Sequence, residues 1–107
     1  MATQPNPAAI EYGASKATLV HIVRSLALQL TPRGLRINGV APGPVYTPFL
    51  PSQGAVTEDF TEEVAAMLPI GRIAQPIEIS PLWVHLADPY STYVSGEIFS
   101  AVAGTGL

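Results

Sequence analysis

One segment constrains the fold of this chain more than any other. Residues 8–30, "AAIEYGASKATLVHIVRSLALQL", carry no proline and read as a single helix. Asn6 and Pro7 are placed to open it, as N-cap and first-turn proline. "TPRG" closes it, with Pro32 and Gly34 as breakers. Its apolar positions include Ile10, Ala14, Ala17, Leu19, Val20, Ile22, Val23, Leu26, Ala27 and Leu30. They spread over much more than one stripe, so the helix is expected to be buried against partners on several sides. That excludes a simple amphipathic surface helix and calls for layers on both of its flanks.

The rest of the chain supplies candidates for those layers. "LRINGVA", residues 35–41, is short and rich in β-branched and apolar residues, and predicts a strand. "PGPVYTPFLPSQG" contains four prolines and two glycines and predicts a loop of restricted shape. Thr57 is placed to cap a short helix over residues 58–68, with Phe60, Val64 and Met67 as its apolar stripe. "PIGRIAQP" connects to a helix over residues 76–87, where Pro76 occupies the first turn and Glu78 the positive end. Pro81 lies inside that pattern and predicts a kink or a tightened first turn. "GEIFSAVA", residues 96–103, predicts a second strand. Strand, helical crossover and strand favour parallel pairing with a right-handed connection. The expected fold is α/β: one partial domain, half of a Rossmann-like doubly wound parallel sheet. The first strand and Gly-rich turn that normally receive a dinucleotide pyrophosphate are not among these elements.

Composition removes several function classes. A hydrophobic content of 48% with 12% charged residues excludes disorder. Net charge is -3 with five Lys plus Arg, so no basic footprint for nucleic acid is present. The chain has no cysteine, which excludes disulfides, thiolate catalysis and cysteine-ligated zinc. No apolar run in the sequence is long enough to span a bilayer, and a cytoplasmic protein is the default expectation.

Tyr12 and Lys16 stand four residues apart, which places them on one helix face, one above the other. A free phenol holds its proton well above neutral pH, and a nearby ammonium favours the phenolate. Such a pair suits hydride-transfer chemistry, in which the tyrosine exchanges a proton with an alcohol or carbonyl oxygen. Taken alone, the same spacing also describes a packing residue beside a solvated charge.

The wider context resembles the short-chain dehydrogenase/reductase family. "YGASKATLVHIVRSLALQLTPRGLRINGVAPGPVYT" carries a Tyr-x-x-x-Lys helix, a Leu-Ala-x-x-Leu turn, an Ile-x-Asn strand and a Pro-Gly-x-x-x-Thr loop in order. "PIGRIAQPIEIS" and "VHLADPYSTYVSGEIF" continue the similarity, which covers nearly the whole chain. "QPNPAAIEY" resembles the stress-type or glucose/ribitol-dehydrogenase-like branch. The resemblance implies an NAD- or NADP-dependent oxidoreductase acting on a small-molecule alcohol or carbonyl, homo-oligomeric in its full-length form. It implies Tyr12 as general acid/base and Lys16 as the residue that holds the cofactor ribose. Pro42, Gly43 and Val45 would line the nicotinamide, with the Val45 backbone bonding its carboxamide, and Thr47 would offer its hydroxyl to the cofactor. Residues 48–70 would form the substrate lid. The family's catalytic serine would fall just before Met1, and neither Ser15 nor Ser25 can replace it. The family's Gly-rich turn, cofactor-selecting residue and helix asparagine are absent from this sequence, and "AVAGTGL" departs from its usual Gly-Gly ending. The expectation is the C-terminal part of such an enzyme, begun at an internal methionine and inactive on its own. The alternative is a non-catalytic remnant, at most an interaction module.

Other chemistry-bearing residues have plainer readings. His21 and His85 lack a second ligand at metal-binding spacing and are expected to pack or meet a neighbour. Glu58, Asp59, Glu62 and Glu63 are expected to form a solvated acidic helix face rather than a cation site. Trp83, Phe49 and Phe60 are expected in the core or lid, and Tyr46 either touches substrate or packs beneath the lid.

Overall fold

The computed structural model describes residues 10–48 and 58–105. Helix α1 spans Ile10–Leu30 and is followed by a 3-10 turn, Thr31–Arg33. Gly34 stops it in the left-handed conformation, φ 81°, with its N–H on the Thr31 carbonyl at 2.9 Å. Strand β1 is Gly39–Pro42, helix α2 is Glu58–Ala66, helix α3 is Pro76–Ala87 and strand β2 is Ile98–Ala101. The proposed cap Thr57, the lid residue Phe49 and helix residues 8–9 lie outside the described residues.

β1 and β2 pair in parallel, Gly39 opposite Ile98 through Pro42 opposite Ala101. Gly39 and Gly43 donate on the β2 side, so by alternation the Pro42 nitrogen faces away from it and its missing N–H breaks no bond of this ladder. Gly43 then continues the ladder, donating to the Ala101 carbonyl at 2.8 Å. At the other end an added Cβ on Gly39 would stand 2.7 Å from Ile98 Cδ1 and 3.6 Å from Val23 Cγ2. Glycine there lets α1 and β2 close in on the strand together.

β1 is shorter than the predicted 35–41, and β2 shorter than the predicted 96–103. The reason lies in side chains. Arg36 donates to the carbonyls of Leu86 (2.8 Å), Asp88 (3.3 Å) and Val94 (3.3 Å). Asn38 donates to the Val94 carbonyl at 2.8 Å and accepts the Glu97 amide at 3.1 Å. These bonds, with Gly96 N–H on the Ile37 carbonyl, clamp residues 36–38 to residues 94–97 as a polar staple instead of a ladder.

Burial corrects the expectation for α1. Of its side chains only Ala27 is buried, while Ile10, Tyr12, Leu19, Ile22, Leu26 and Leu28 are exposed. The described residues cover one flank of this helix; the other partners its apolar surface calls for are not among them. Trp83 is likewise 56% exposed and Met67 77% exposed, so neither belongs to a core. Among the described residues the buried apolar ones are Ala27, Leu68, Ile73 and Ile79. Accessible surface totals 7678 Å², against about 5,700 Å² for a compact monomer of this mass. Pro81 is accommodated within α3, which runs unbroken through it. Among the described residues no helix is long and apolar enough to cross a membrane.

Candidate active site

Three contacts fix the direction of α1 against the sheet. Val23 reaches Gly39 at the start of β1, and Ala27 Cβ lies 3.4 Å from a Cβ built on Gly96, ahead of β2. Further along, Thr31 Oγ1 bonds Ser95 Oγ at 2.7 Å. The helix therefore descends towards the N-terminal ends of the strands, antiparallel to both. At 1.5 Å per residue, Lys16 and Tyr12 stand about 10 and 16 Å above Val23. At 3.3 Å per residue, Gly43 stands about 13 Å above Gly39. On ideal rises this puts Tyr12 and Lys16 at about the height of Gly43, towards the carboxyl edge of the parallel strands, where open α/β sheets take their ligands.

Within α1, Lys16 Nζ lies 5.2 Å from the centroid of the Tyr12 ring. The lysine stem is half-buried and the tyrosine 54% exposed, so the pair presents a phenol to the open side. At Gly13, between them, no heavy atom of the described residues outside the local helix backbone lies within 4 Å of where a Cβ would project. Ser15 Oγ turns back to the Tyr12 carbonyl at 2.8 Å, and Ser25 Oγ bonds His21 Nε2 at 3.3 Å. Both serines are committed to their own helix and neither is positioned as a partner for the phenol.

The loop after β1 is held from two sides. Gly43 packs so closely that a Cβ would come 3.3 Å from Val102 Cα and 3.4 Å from the Ala101 oxygen. This gives Gly43 a structural reason of its own. Val45 forms an isolated parallel bridge to Ala74, with Tyr46 N–H on the Ala74 carbonyl at 2.8 Å and Ala74 N–H on the Pro44 carbonyl at 3.1 Å. Pro42 is exposed, and Thr47 is half-buried two residues past the bridge. Two hollows flank this loop. One, about 160 Å³, is walled by Gly43, Pro44, Arg72, Glu78 and Val102. The other, about 380 Å³, lies between the loop and α2, with Tyr46, Thr61, Glu62, Ala65 and Arg72 on its walls. Tyr46 therefore lines the space beside α2.

Sequence reasoning missed an ion pair beside the hollows, in which Arg72 borders both and Glu78 the first. Arg72 grips Glu78 with both nitrogens, at 2.7 and 2.6 Å, and Glu78 Oε2 also accepts the Gln75 amide at 2.7 Å. The Arg72 guanidinium, then the Gln75 amide, hold the Glu78 carboxyl down at about 2, against an ordinary 4.5. Gln75-Pro76 followed by Glu78 was the available signal, since an acidic residue at the third helical position reaches back to the N-cap amide. His85 stacks edge-on against Phe99, ring centroids 6.2 Å apart, and His21 keeps to Ser25. Among the described residues no three His, Cys, Asp or Glu side chains converge on a metal position. Glu62 and Glu63 are solvent-exposed.

A family model described as enoyl-(acyl carrier protein) reductase matches residues 1–105. Glucose and ribitol dehydrogenase homolog 2 of Arabidopsis thaliana is 42% identical over 100 residues, covering 92% of this chain and 34% of its own length. The NADPH-bound short chain oxidoreductase of Pseudomonas aeruginosa PAO1, with an atypical catalytic center, superposes with a TM-score of 0.85 at 30% identity. That match covers 98% of this chain and 42% of the other. A variant of actinorhodin polyketide ketoreductase solved with NADPH gives a TM-score of 0.88 at 29% identity, over 98% of this chain and 43% of that one. The chain spans about a third of the length of the curated relatives it matches. Its fold corresponds to the C-terminal part of their Rossmann-like sheet.

Proposed function

The chain belongs to the short-chain dehydrogenase/reductase family, and on that premise we propose that it contributes the proton-exchange side of an NAD(P)-dependent oxidoreductase interconverting an alcohol and a carbonyl. The observation that carries this reading is the Tyr12–Lys16 pair, 5.2 Å from ammonium to ring centroid, on a helix that runs against the strands. In the oxidising direction the Tyr12 oxygen takes the hydroxyl proton of the alcohol as its C–H bond yields a hydride; in reduction it returns that proton to the carbonyl oxygen. The Lys16 ammonium places positive charge beside the phenol, where negative charge develops as the proton moves. Bound NAD or NADP would accept or donate the hydride. Lys16 would hold its ribose hydroxyls, the Val45 backbone its carboxamide, and Pro42, Gly43 and Thr47 the surrounding wall. The fit is supported by the room at Gly13 and by the loop's position at the strand ends. Residues 48–70, α2 among them, would close over substrate, with Tyr46 beside it.

The test joins this chain to the cofactor-binding half of a relative, in trans or by fusion, and follows NADPH oxidation with simple aldehydes and ketones. Tyr12→Phe is expected to lower kcat by about 10²–10⁴-fold while cofactor binding persists. Undiminished turnover in that variant would remove Tyr12 from the chemistry. The isolated chain is expected to oxidise no cofactor and to bind none saturably. Homo-oligomeric assembly and a cytoplasmic location belong to the same proposal.

The exposed apolar surface of α1 favours a second reading, a non-catalytic remnant that serves as an interaction module. On that reading the joined protein forms a stable complex yet shows no NADPH oxidation with any alcohol or carbonyl.

A further inference from the structure

The connector between α2 and α3 is tied at three points by one carboxylate. Arg72 holds both oxygens of Glu78, and Glu78 Oε2 takes the Gln75 amide as well, so the backbone from 72 to 78 is drawn into a closed loop. Exposed ion pairs contribute little energy in general, but a bidentate guanidinium fork fixes direction as well as distance. Inside the closed loop, Ile73 is buried and anchors the segment from below. Ala74 faces the other way. Its N–H and C=O are the two groups that bond Pro44 and Tyr46. The loop after β1 is thus fastened at Gly43 by the sheet and at residues 44–46 by Ala74. Arg72 also borders the hollows on both sides of that loop.

Resting on the functional reading above, we infer that the Arg72–Glu78 pair is a positioning element for the cofactor-facing loop. It acts through Ala74 on the Pro44–Tyr46 backbone and touches neither substrate nor cofactor itself. The pair sets where the Val45 peptide stands, while Tyr12 and Lys16 on α1 are set independently.

Amide hydrogen exchange on the 107-residue chain reads this directly, without cofactor or turnover. In Glu78→Gln and in Arg72→Gln, the Tyr46 and Ala74 amides should exchange at least about tenfold faster, while the Gly39 and Gly43 amides, bonded to Glu97 and Ala101, stay within about twofold. Exchanging the two residues, Arg72→Glu with Glu78→Arg, restores the ion pair without the Gln75 contact and should recover part of the protection. Unchanged exchange at Tyr46 and Ala74 would overturn the inference. A uniform loss of protection at all four amides would overturn it too, since the pair would then support the whole fold and not this loop. In the joined enzyme, Glu78→Gln should raise the cofactor KM several-fold with kcat altered less than about twofold. Failure of Tyr12→Phe to lower turnover would count against the functional reading and leave the exchange result standing.

Discussion

Glu78 accepts hydrogen bonds from two guanidinium nitrogens and one backbone amide, and no described residue is more strongly shifted in its acidity. Its folded value of about 2 lies below the ordinary 4.5, so the folded state holds its proton less readily than the unfolded chain does. The sign follows: the pair's contribution is complete above pH 4.5 and is lost as pH falls towards about 2. Melting temperature measured across that window should fall more steeply for the parent chain than for Glu78→Gln. The two curves should converge at the acid end; parallel curves would contradict the assignment. Tyr12 and Lys16 offer a contrast at the same scale. Their relation is geometric, a charge beside a ring, and was legible from the spacing of four alone. The Arg72–Glu78 relation spans a turn and a helix start, and spacing does not announce it.

At the scale of elements, Arg36 joins three parts of the fold. Its guanidinium receives carbonyls from the end of α3 (Leu86), the residue beyond it (Asp88) and the approach to β2 (Val94). Arg36→Met keeps the stem but leaves those carbonyls without a charged donor. A loss of about 1.5–3 kcal/mol is expected, read as a lower urea midpoint at constant m-value; a change below about 0.5 kcal/mol would show that water replaces the guanidinium freely. The same region marks the limit of sequence reading. Helical periodicity and proline placement predicted helices over 8–30 and 76–87, and α1 and α3 occupy Ile10–Leu30 and Pro76–Ala87. β-propensity predicted a strand from residue 35, yet the ladder begins at Gly39, because Arg36 and Asn38 spend their side chains on residues 86–97. Propensity registers an extended backbone; it carries no information about which distant carbonyl that backbone will meet. For the site, the Tyr12–Lys16 helix and the loop after β1 were legible as motifs, whereas the direction of that helix against the strands needed the Val23–Gly39 and Ala27–Gly96 contacts.

Across the whole molecule, the apolar surface that the sequence assigned to burial is largely on the outside. Leu19, Ile22 and Leu26 on α1 are 53%, 43% and 37% exposed, and the radius of gyration is 15.7 Å, against about 13 Å for a compact domain of this length. Water does not tolerate a continuous apolar face of this kind cheaply, and association is the usual remedy. Sedimentation should therefore show concentration-dependent association of the chain, and Leu19→Gln with Ile22→Gln should shift it towards the monomer. A single monomeric species at all concentrations, in both proteins, would show that this face is stable in water as it stands.

The pairing of Gly39 with Ile98 also sets a clock. The two positions are 98 − 39 = 59 residues apart, so β1 is made long before its partner exists. At about 5–20 residues per second, synthesis leaves a strand waiting for some 3–12 s, with α1 already complete and exposed beside it. During that interval β1 lacks the partner that its hydrogen-bonding edge will take. An unpaired edge is open to the wrong strand, so the order of synthesis bears on how this pairing is reached, beside the stability of the finished sheet.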